Sequence, residues 1–325
     1  MIRRLARTAL DTFQAAGSLL INPVVPPVVV LIYHRVTSLA ADPQLLAVGP
    51  PHFRDQMRYL KDHFPVLRFE AEWGKVREPS VVVTFDDGYA DNYLEALPIL
   101  EQEQVPATFF VTTGGLGTKD ELWWDELERL LLGGGDFPAS LALPIEGKNY
   151  RWETATAAGR RRCYDQLHPL LRGLPPATLQ DAIAAIRNWA GLGREGRESH
   201  RPLTADEVRL LSQSAWATIG AHCVNHPRLC ALSAEEQRDE ILASKRRLEE
   251  ICGREITVFS YPFGCPGDFT RESVRICRDA GFRRVAANFP GQARPWTDPM
   301  QIPRQLVRDW GVTEFAARLD RFLLV

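Results

Sequence analysis

Residues 81–88 read VVVTFDDG, an apolar run that ends in two adjacent carboxylates and a glycine. Three valines followed by Thr-Phe predict a strand over Val81–Phe85 that is buried on both faces. At the end of such a strand, Asp86 and Asp87 can leave the pleat and enter one site, and Gly88 permits the sharp turn. Otherwise these acids would cap the following helix. A functional site is favoured, because two carboxylates beside a buried strand are costly without a positive partner.

A second stretch, residues 222–227, reads HCVNHP and places two imidazoles at positions i and i+4. On one helical turn, His222 and His226 can both reach a single ion. The spacing alone is a weak signal, and the alternative is one hydrogen-bonded and one exposed histidine. Combined with Asp86 and Asp87, the pair provides an Asp, His, His ligand set and a spare carboxylate. This set suits a catalytic divalent metal, most simply Zn²⁺, that activates water against an amide or ester.

Short β-rich runs alternate with helical patterns along the whole chain. This order predicts a parallel sheet covered by helices, either an α/β barrel or a doubly wound sheet, with the chemistry at the carboxyl ends of the strands. Thr204 and Ser233 each stand three residues before a glutamate, a capping-box spacing that predicts a helix start. The second of these helices is predicted to end at Cys252, before Gly253. The predicted strands are Val28–Tyr33, Val81–Phe85, Ala107–Thr112, Trp216–His222, Ile256–Tyr261, Arg283–Ala287 and Ile302–Val307.

The composition of the 325 residues, 45% hydrophobic and 25% charged, is that of an ordinary globular protein. The net charge of −2 provides no overall positive field for nucleic acid. Six cysteines without CxxC spacing favour buried thiols in a reducing cytoplasm over a disulfide framework. Residues 133–200 break the alternation with glycines and prolines, and they predict an inserted, mainly helical segment within a main domain over 28–325.

The N-terminal residues 1–27 are predicted to form an amphipathic helix and a linker. Apolar residues at helical spacing within residues 2–21, next to Arg3, Arg4 and Arg7, fit two arrangements. The helix would pack on the body of the protein, or it would lie in a membrane interface. No run approaches the roughly 18 apolar residues that a transmembrane helix needs. We therefore expect a cytoplasmic protein, with peripheral contact at the inner face of the membrane as the second arrangement.

Three motifs in combination resemble one known family. TFDDG at 84–88, HxxxHP at 222–227 and YPFG at 261–264 resemble the polysaccharide deacetylase family, which has the NodB homology domain and forms carbohydrate esterase family 4. The resemblance covers roughly residues 28–115 and 203–310. It implies an α/β fold, the distorted (β/α)₇ barrel of the NodB type.

The resemblance also implies roles for the motif residues. Asp87, His222 and His226 would bind the metal, usually zinc, and Asp86 would be the general base. Phe263 occupies the position whose backbone N–H helps to hold the tetrahedral oxyanion. The chemistry is consistent with this, because a metal lowers the pKa of water to about 7 and, with a backbone donor, stabilises an oxyanion.

Two departures from the family pattern direct attention to other residues. The third motif usually carries an arginine that orients the base, where this chain has Ser260, and the usual C-terminal acid histidine is absent because none follows His226. His34, at the end of the first strand, resembles the acid of the circularly permuted PgaB and IcaB type, which act on poly-N-acetylglucosamine. The alternative for His34 is a core histidine. Arg304 would pair with Asp86, or would be a surface arginine.

Aromatic residues provide candidates for sugar contact. Trp123 and Trp124 are adjacent and cannot share one helix face, so one is expected in the core, and Trp124 is the candidate sugar platform. Tyr261 lies in the motif that contains Phe263 and is a second candidate for substrate contact. The other histidines, His168 among them, have no motif context and are interpreted as ordinary.

The sequence thus predicts a metal-dependent hydrolase that removes N-acetyl groups from an N-acetylhexosamine. The sugar would belong to a polysaccharide or to a lipid- or nucleotide-linked glycan precursor. The same site would also serve O-deacetylation or hydrolysis of a small amide, because esters and amides share the oxyanion. A non-catalytic glycan-binding scaffold is the alternative of another class.

Overall fold

The computed structural model describes residues 21–74 and 76–324. The predicted N-terminal helix lies outside the described residues except for its last position, Ile21. None of the helices in the described ranges is long and apolar enough to cross a bilayer.

The strands that build the centre of the fold follow the predicted positions closely. Apolar runs over β1 and β5 are buried at every position, as expected of parallel strands covered on both faces. The strands are β1 (Val28–Tyr33), β2 (Arg35–Val36), β3 (Ala47–Val48), β4 (Val66–Leu67), β5 (Ser80–Phe85), β6 (Ala107–Val111), β7 (Ser140–Ile145), β8 (Lys148–Glu153), β9 (Ala217–Ala221), β10 (Val258–Ser260), β11 (Arg284–Ala286) and β12 (Gln305–Leu306).

One parallel sheet has the strand order β11-β10-β9-β6-β5-β1-β12, and β4 pairs with β5 beside this path. The two ends of the path approach each other, because Ile302 accepts from Ala287 N–H at 2.8 Å and donates to Val285 O at 2.9 Å. The predicted last strand is reduced to Gln305–Leu306, since Pro303 has no N–H for the ladder. This curled sheet confirms the predicted distorted (β/α) barrel.

The helices cover the outside of the sheet. The two predicted capping boxes, at Thr204 and Ser233, are both present, and the second helix ends at Cys252 with Gly253 in the left-handed conformation, φ +63°. The helices are α1 (Pro50–His63), α2 (Leu97–Glu103), α3 (Trp123–Leu132), α4 (Ala157–Arg172), α5 (Pro176–Ala190), α6 (Ala205–Gln213), α7 (Ala234–Cys252), α8 (Arg271–Asp279) and α9 (Val312–Phe322), with a π-helical turn at Asn92–Ala96 before α2.

A second hydrophobic core forms beside the barrel from α3, the hairpin β7-β8, α4 and α5. The sequence predicted a mainly helical segment over 133–200, and the hairpin was not predicted. Its first strand alternates, with Leu141, Leu143 and Ile145 buried, and the turn at Glu146 and Gly147 has positive φ at both residues. Because α3 contributes to this core, we refer to residues 123–190 as the side subdomain.

Candidate active site

The carboxyl ends of the parallel strands bring most of the predicted site residues to one cavity of about 310 Å³. Its walls come from the ends of the six strands β1, β5, β9, β10, β11 and β12, from the loop before β3 and from the side subdomain. Gly88, with φ +81°, makes the turn after β5, where a Cβ would lie 2.9 Å from Val111 Cγ1. The predicted residues that line the cavity are His34, Asp86, Asp87, Trp124, His226 and Phe263.

Asp86 forms a buried, bidentate ion pair with Arg304. Nη1 of Arg304 donates to Asp86 Oδ1 at 2.7 Å, and Nη2 donates to Oδ2 at 2.6 Å. The other three N–H groups donate to Ala287 O, Thr84 Oγ1 and Ser260 Oγ, so all five donors have partners. Burial by itself raises the pKa of Asp86, but the charge and hydrogen bonds of Arg304 outweigh it and hold this pKa well below its usual value. Asp86 is therefore a buried, ionised carboxylate at the wall of the cavity.

Ser260 stands where the family pattern has an arginine, and it contacts both members of this pair. Its Oγ donates to Asp86 Oδ2 at 3.1 Å and accepts from Arg304 Nη2 at 2.9 Å. The guanidinium that pairs with Asp86 therefore comes from just before β12, and Ser260 bridges the two side chains.

Asp87, His222 and His226 form a buried cluster whose ligand atoms all lie within 4.8 Å of one another. Asp87 Oδ1 is 3.5 Å from His222 Nε2 and 3.4 Å from His226 Nε2. Donor atoms held at about 2.0–2.2 Å by one zinc ion in a tetrahedral site are roughly 3.3–3.6 Å apart, so these distances fit such an ion.

The orientation of His222 and the protonation of His226 fit a bound cation. Burial lowers the pKa of His222, but the carboxylates of Asp86 and Asp87 outweigh it and raise this pKa, so a bound metal would displace a proton from His222. His222 Nδ1 donates to Ser260 O at 2.7 Å, which leaves its Nε2 lone pair toward Asp87, and no hydrogen-bond partner exists for that Nε2 in the described residues. Burial lowers the pKa of His226 to about 3, so its imidazole is neutral at neutral pH. Neutral imidazoles and an ionised carboxylate are the form in which these groups bind a divalent metal.

The two histidines do not lie on a helical turn, and this part of the prediction is wrong. They belong to the loop after β9, where Cys223 and His226 have positive φ of 64° and 53°. The carboxylate of Glu240, on α7, accepts from the backbone N–H groups of residues 224–225, each at 2.9 Å. The side-chain amide of Asn225 also donates to Glu240, at 2.6 Å, so three hydrogen bonds to one carboxylate hold the strained loop. Nothing in the sequence separates Glu240 from the other acids of its helix.

His34 follows β1 and lines the cavity together with Asp86 and Asp87. Its Nδ1 is buried and has no hydrogen-bond partner among the residues described. Burial lowers the pKa of His34, while the charges of Asp87 and Asp86 oppose this shift. The neutral imidazole is therefore the main form of His34 at neutral pH, and its imidazolium is a stronger acid than that of an exposed histidine.

Phe263 and Trp124 both pack against the ring of His226. Phe263 has positive φ of 60°, and its ring lies 4.6 Å from the His226 ring. The Trp124 ring is 4.8 Å from the same histidine, and its Nε1 donates to Tyr89 Oη at 2.7 Å. Trp124 is only 3% exposed, so it forms a wall of the cavity next to a candidate metal ligand and not an open platform.

The prediction that Tyr261 contacts substrate is wrong. Its side chain is fully buried, stacks on Phe269 with ring centroids 4.1 Å apart, and donates to Met300 O at 3.1 Å. The side chain points into the core between the sheet and the helices, on the same face as Phe259 of β10, whereas Ser260 faces Asp86. The motif therefore contributes Phe263 to the cavity, and Tyr261 to packing.

Sequence reasoning missed several residues of the cavity. His168, interpreted as ordinary, lines it from α4 and stacks on Trp123 at 5.0 Å, and burial with the nearby Arg172 lowers its pKa to about 4. No motif marks these residues, because they come from the side subdomain and from loops. The other missed residues in the wall are Gln44, Leu46, Arg172, Cys265, Asn288, Leu306 and Arg308.

A parallel barrel with paired carboxylates and histidines at its strand ends defines the class of NodB-type deacetylase barrels. The profile of the polysaccharide deacetylase family matches residues 74–137 and 181–285, slightly more than half of the chain, and the chain belongs to this family.

Two curated relatives match parts of the chain. YxkH of Bacillus subtilis (strain 168) is 25% identical over 147 residues, which are 42% of this chain and 51% of that protein. The poly-β-1,6-N-acetyl-D-glucosamine N-deacetylase of Escherichia coli (strain K12) is 35% identical over 88 residues, 25% of this chain and 13% of that protein. The matches thus span about half of the first relative and a small part of the second.

Solved structures match over most of the chain. The deacetylase PplD of Streptococcus pyogenes, in complex with acetate, aligns with a TM-score of 0.58 at 18% identity and covers 91% of this chain and 98% of its own. IcaB from Ammonifex degensii aligns with the same TM-score and identity, over 91% of this chain and 97% of its own. At this identity the likeness shows a shared fold.

Proposed function

We propose that this protein is a metal-dependent N-deacetylase that acts on an N-acetylhexosamine of a polysaccharide or of a glycan precursor. The observation that carries the proposal is the buried Asp86–Arg304 pair beside the cluster of Asp87, His222 and His226. An ionised base next to a candidate metal site is the arrangement that hydrolysis of an unactivated amide requires. The Escherichia coli relative, a poly-β-1,6-N-acetyl-D-glucosamine N-deacetylase, supports N-acetylglucosamine as the sugar.

Asp87, His222 and His226 would hold the ion, with Zn²⁺ favoured by a ligand set of two imidazoles and one carboxylate. When bound, the ion would lower the pKa of water to about 7 and polarise the acetamide carbonyl. Arg304 keeps Asp86 ionised and fixes its orientation, so that Asp86 can take the proton of the attacking water.

Phe263 and His34 would complete the reaction. The backbone N–H of Phe263 would donate to the tetrahedral oxyanion, since no acceptor pairs with it among the described residues. His34 would donate its proton to the departing nitrogen, which releases acetate and a free amino sugar.

We also propose that residues 2–21 contact the inner face of the membrane. Pelleting of the protein with anionic vesicles, compared between the full chain and a variant without residues 1–21, tests this contact.

The test is acetate release by the zinc-loaded protein from chitooligosaccharides, UDP-N-acetylglucosamine and an O-acetylated xylan. We expect release from an N-acetylated substrate and its loss in Asp86→Asn, with the metal content unchanged. Asp309→Asn, a half-exposed carboxylate away from Asp86, is the matched control. Faster release from the xylan would replace the proposal by O-deacetylation. Sugar binding without release from any acyl substrate would replace it by a glycan-binding scaffold.

A further inference from the structure

The charged side chains that line the cavity are two carboxylates and two guanidiniums, those of Asp86, Asp87, Arg172 and Arg308. Neither carboxylate is available to neutralise Arg172 or Arg308. Asp86 is paired with Arg304, and Asp87 belongs to the candidate metal cluster. The two arginines therefore leave uncompensated positive charge in the wall of the cavity.

Arg308, two residues after β12, has no carboxylate within ion-pair distance among the described residues. Its Nη1 donates to Gln44 O at 2.8 Å and to Leu45 O. These neutral carbonyls fix the direction of the guanidinium and do not neutralise it. Its other N–H groups have no acceptor in the described part of the chain. Burial lowers the pKa of Arg308, and the charge of Asp42, which lies beyond ion-pair distance and accepts from the backbone N–H groups of residues 46–47, opposes this shift only in part. A partly buried cation without a paired counter-ion carries a desolvation cost, which an anionic ligand would offset.

Arg172 reaches the cavity from the last residue of α4, in the side subdomain. Its guanidinium lies 4.5 Å over the ring of Phe263, whose backbone N–H is the proposed oxyanion donor. Its Nη2 donates to Asp268 at 2.6 Å, but Arg228 also pairs with Asp268, at 2.9 Å. One carboxylate shared by two arginines leaves a net positive charge at this wall as well.

We propose that the cavity selects an N-acetylated sugar that carries an oxyanion, a phosphate or a carboxylate, and that Arg308 and Arg172 bind this group. The inference rests on the proposed function and names its substrate class. Sugar hydroxyls cannot compensate two guanidinium charges, whereas phosphate and carboxylate oxygens match the planar fork of arginine. A cavity of about 310 Å³ is at the small end of ligand sites, which suits one sugar unit with its substituent.

The first test compares three probes on the zinc-loaded wild-type protein: N-acetylglucosamine 1-phosphate, N-acetylmuramic acid and methyl N-acetylglucosaminide. We expect at least one anionic probe to exceed the neutral glycoside at least tenfold in kcat/KM, with an advantage that shrinks as salt is raised. The phosphate and carboxylate probes distinguish the two sources of the oxyanion. Equal or better turnover of the neutral glycoside would overturn the inference.

Calorimetric binding of the same probes separates this inference from the proposed function. Tenfold tighter binding of an anionic probe without acetate release would keep the anion site and refute the deacetylase. Acetate release with no anionic preference in turnover or binding would keep the deacetylase and refute the anion site. Equal or absent binding of all three probes, without release, would refute both.

Substitutions test whether Arg308 and Arg172 cause the preference for anionic probes. Arg308→Met and Arg172→Met should each lower the ratio of anionic to neutral kcat/KM, or of affinity, by about tenfold to a hundredfold. Arg54→Met, on the exposed face of α1, is the matched control and should leave the ratio unchanged. Arg308→Lys keeps the charge but loses the planar fork, so its ratio should lie between the ratios of wild type and Arg308→Met. If Arg308→Met does not fold, the ratio of Arg308→Lys should still be lower than that of wild type. A ratio unchanged in Arg172→Met and Arg308→Lys would contradict the assignment.

Discussion

Replacing Arg304 by methionine removes the only guanidinium that contacts Asp86 among the residues described. The pair is bidentate, at 2.7 and 2.6 Å, and both side chains are almost fully buried. Removal of one partner from a buried pair costs about 3–5 kcal/mol, because the remaining charge has no compensation. Methionine fills most of the volume, so the loss is electrostatic and not a cavity. We therefore expect Arg304→Met to fold with a free energy of unfolding lower by that amount.

The effect on activity follows from the pKa of Asp86. Burial raises this pKa, and Arg304 is the main group that lowers it, so the pKa must rise when Arg304 is removed. A base works only when ionised, and the acid limb of the pH–rate profile should therefore move to higher pH. At pH 7 we expect kcat to fall by about 10²- to 10⁴-fold, the usual contribution of general base catalysis.

The pH dependence of the free energy of unfolding gives an independent measure of the Asp86–Arg304 pair. The pKa of Asp86 is lowered from 3.8 in the folded protein, so the pair stabilises the fold above about pH 4. That stabilisation is lost as the pH falls toward the lowered pKa, and Arg304→Met should lack this part of the pH dependence.

The assay combines acetate release between pH 5 and 9.5, urea unfolding and metal analysis of each variant. Ser260→Ala is the matched control, because it removes one hydrogen bond to Asp86 but keeps the ion pair. It should cost about 0.5–1.5 kcal/mol and leave the acid limb in place. Wild-type kcat and an unshifted acid limb in Arg304→Met, with full metal content, would refute the reasoning.

His34→Ala should lose at least about 10²-fold in kcat while it retains the bound metal, since only the proton donor is removed, and full turnover would exclude that role. Glu240→Gln should weaken zinc affinity by about 10- to 100-fold in a competition with a chelator, because the histidine loop loses its carboxylate anchor, whereas Glu235→Gln at the start of α7 should not. Asp125 accepts from Tyr89 Oη, and burial raises its pKa to about 7, so the folded protein binds this proton between pH 4 and 7 and the unfolded chain does not. Stability should therefore fall as the pH rises through this window, by up to about 4 kcal/mol, and Asp125→Asn should flatten the slope; an unchanged slope would contradict the assignment.

Local sequence patterns were sufficient for the strands and for the position of Asp86 and Asp87. The apolar runs of β1 and β5, the capping boxes of α6 and α7, and the two aspartates after β5 all depend on neighbours within a few residues. The hairpin β7-β8 was missed because its alternation is short and lies among glycines and prolines. The predicted strand Ile302–Val307 was overextended at its start, because Pro303 has no N–H for the ladder and β12 begins only at Gln305.

The sequence by itself determined that Asp86 and Asp87 end a buried strand, because burial on both faces is encoded in consecutive apolar residues. Only the tertiary structure decided that Arg304 meets Asp86 across 218 positions, that Tyr261 belongs to the core, and that Arg172 and Arg308 enter the cavity. Periodicity records which face of an element is covered. Which distant side chains meet depends on strand order and on the packing of the side subdomain, and no local pattern contains these.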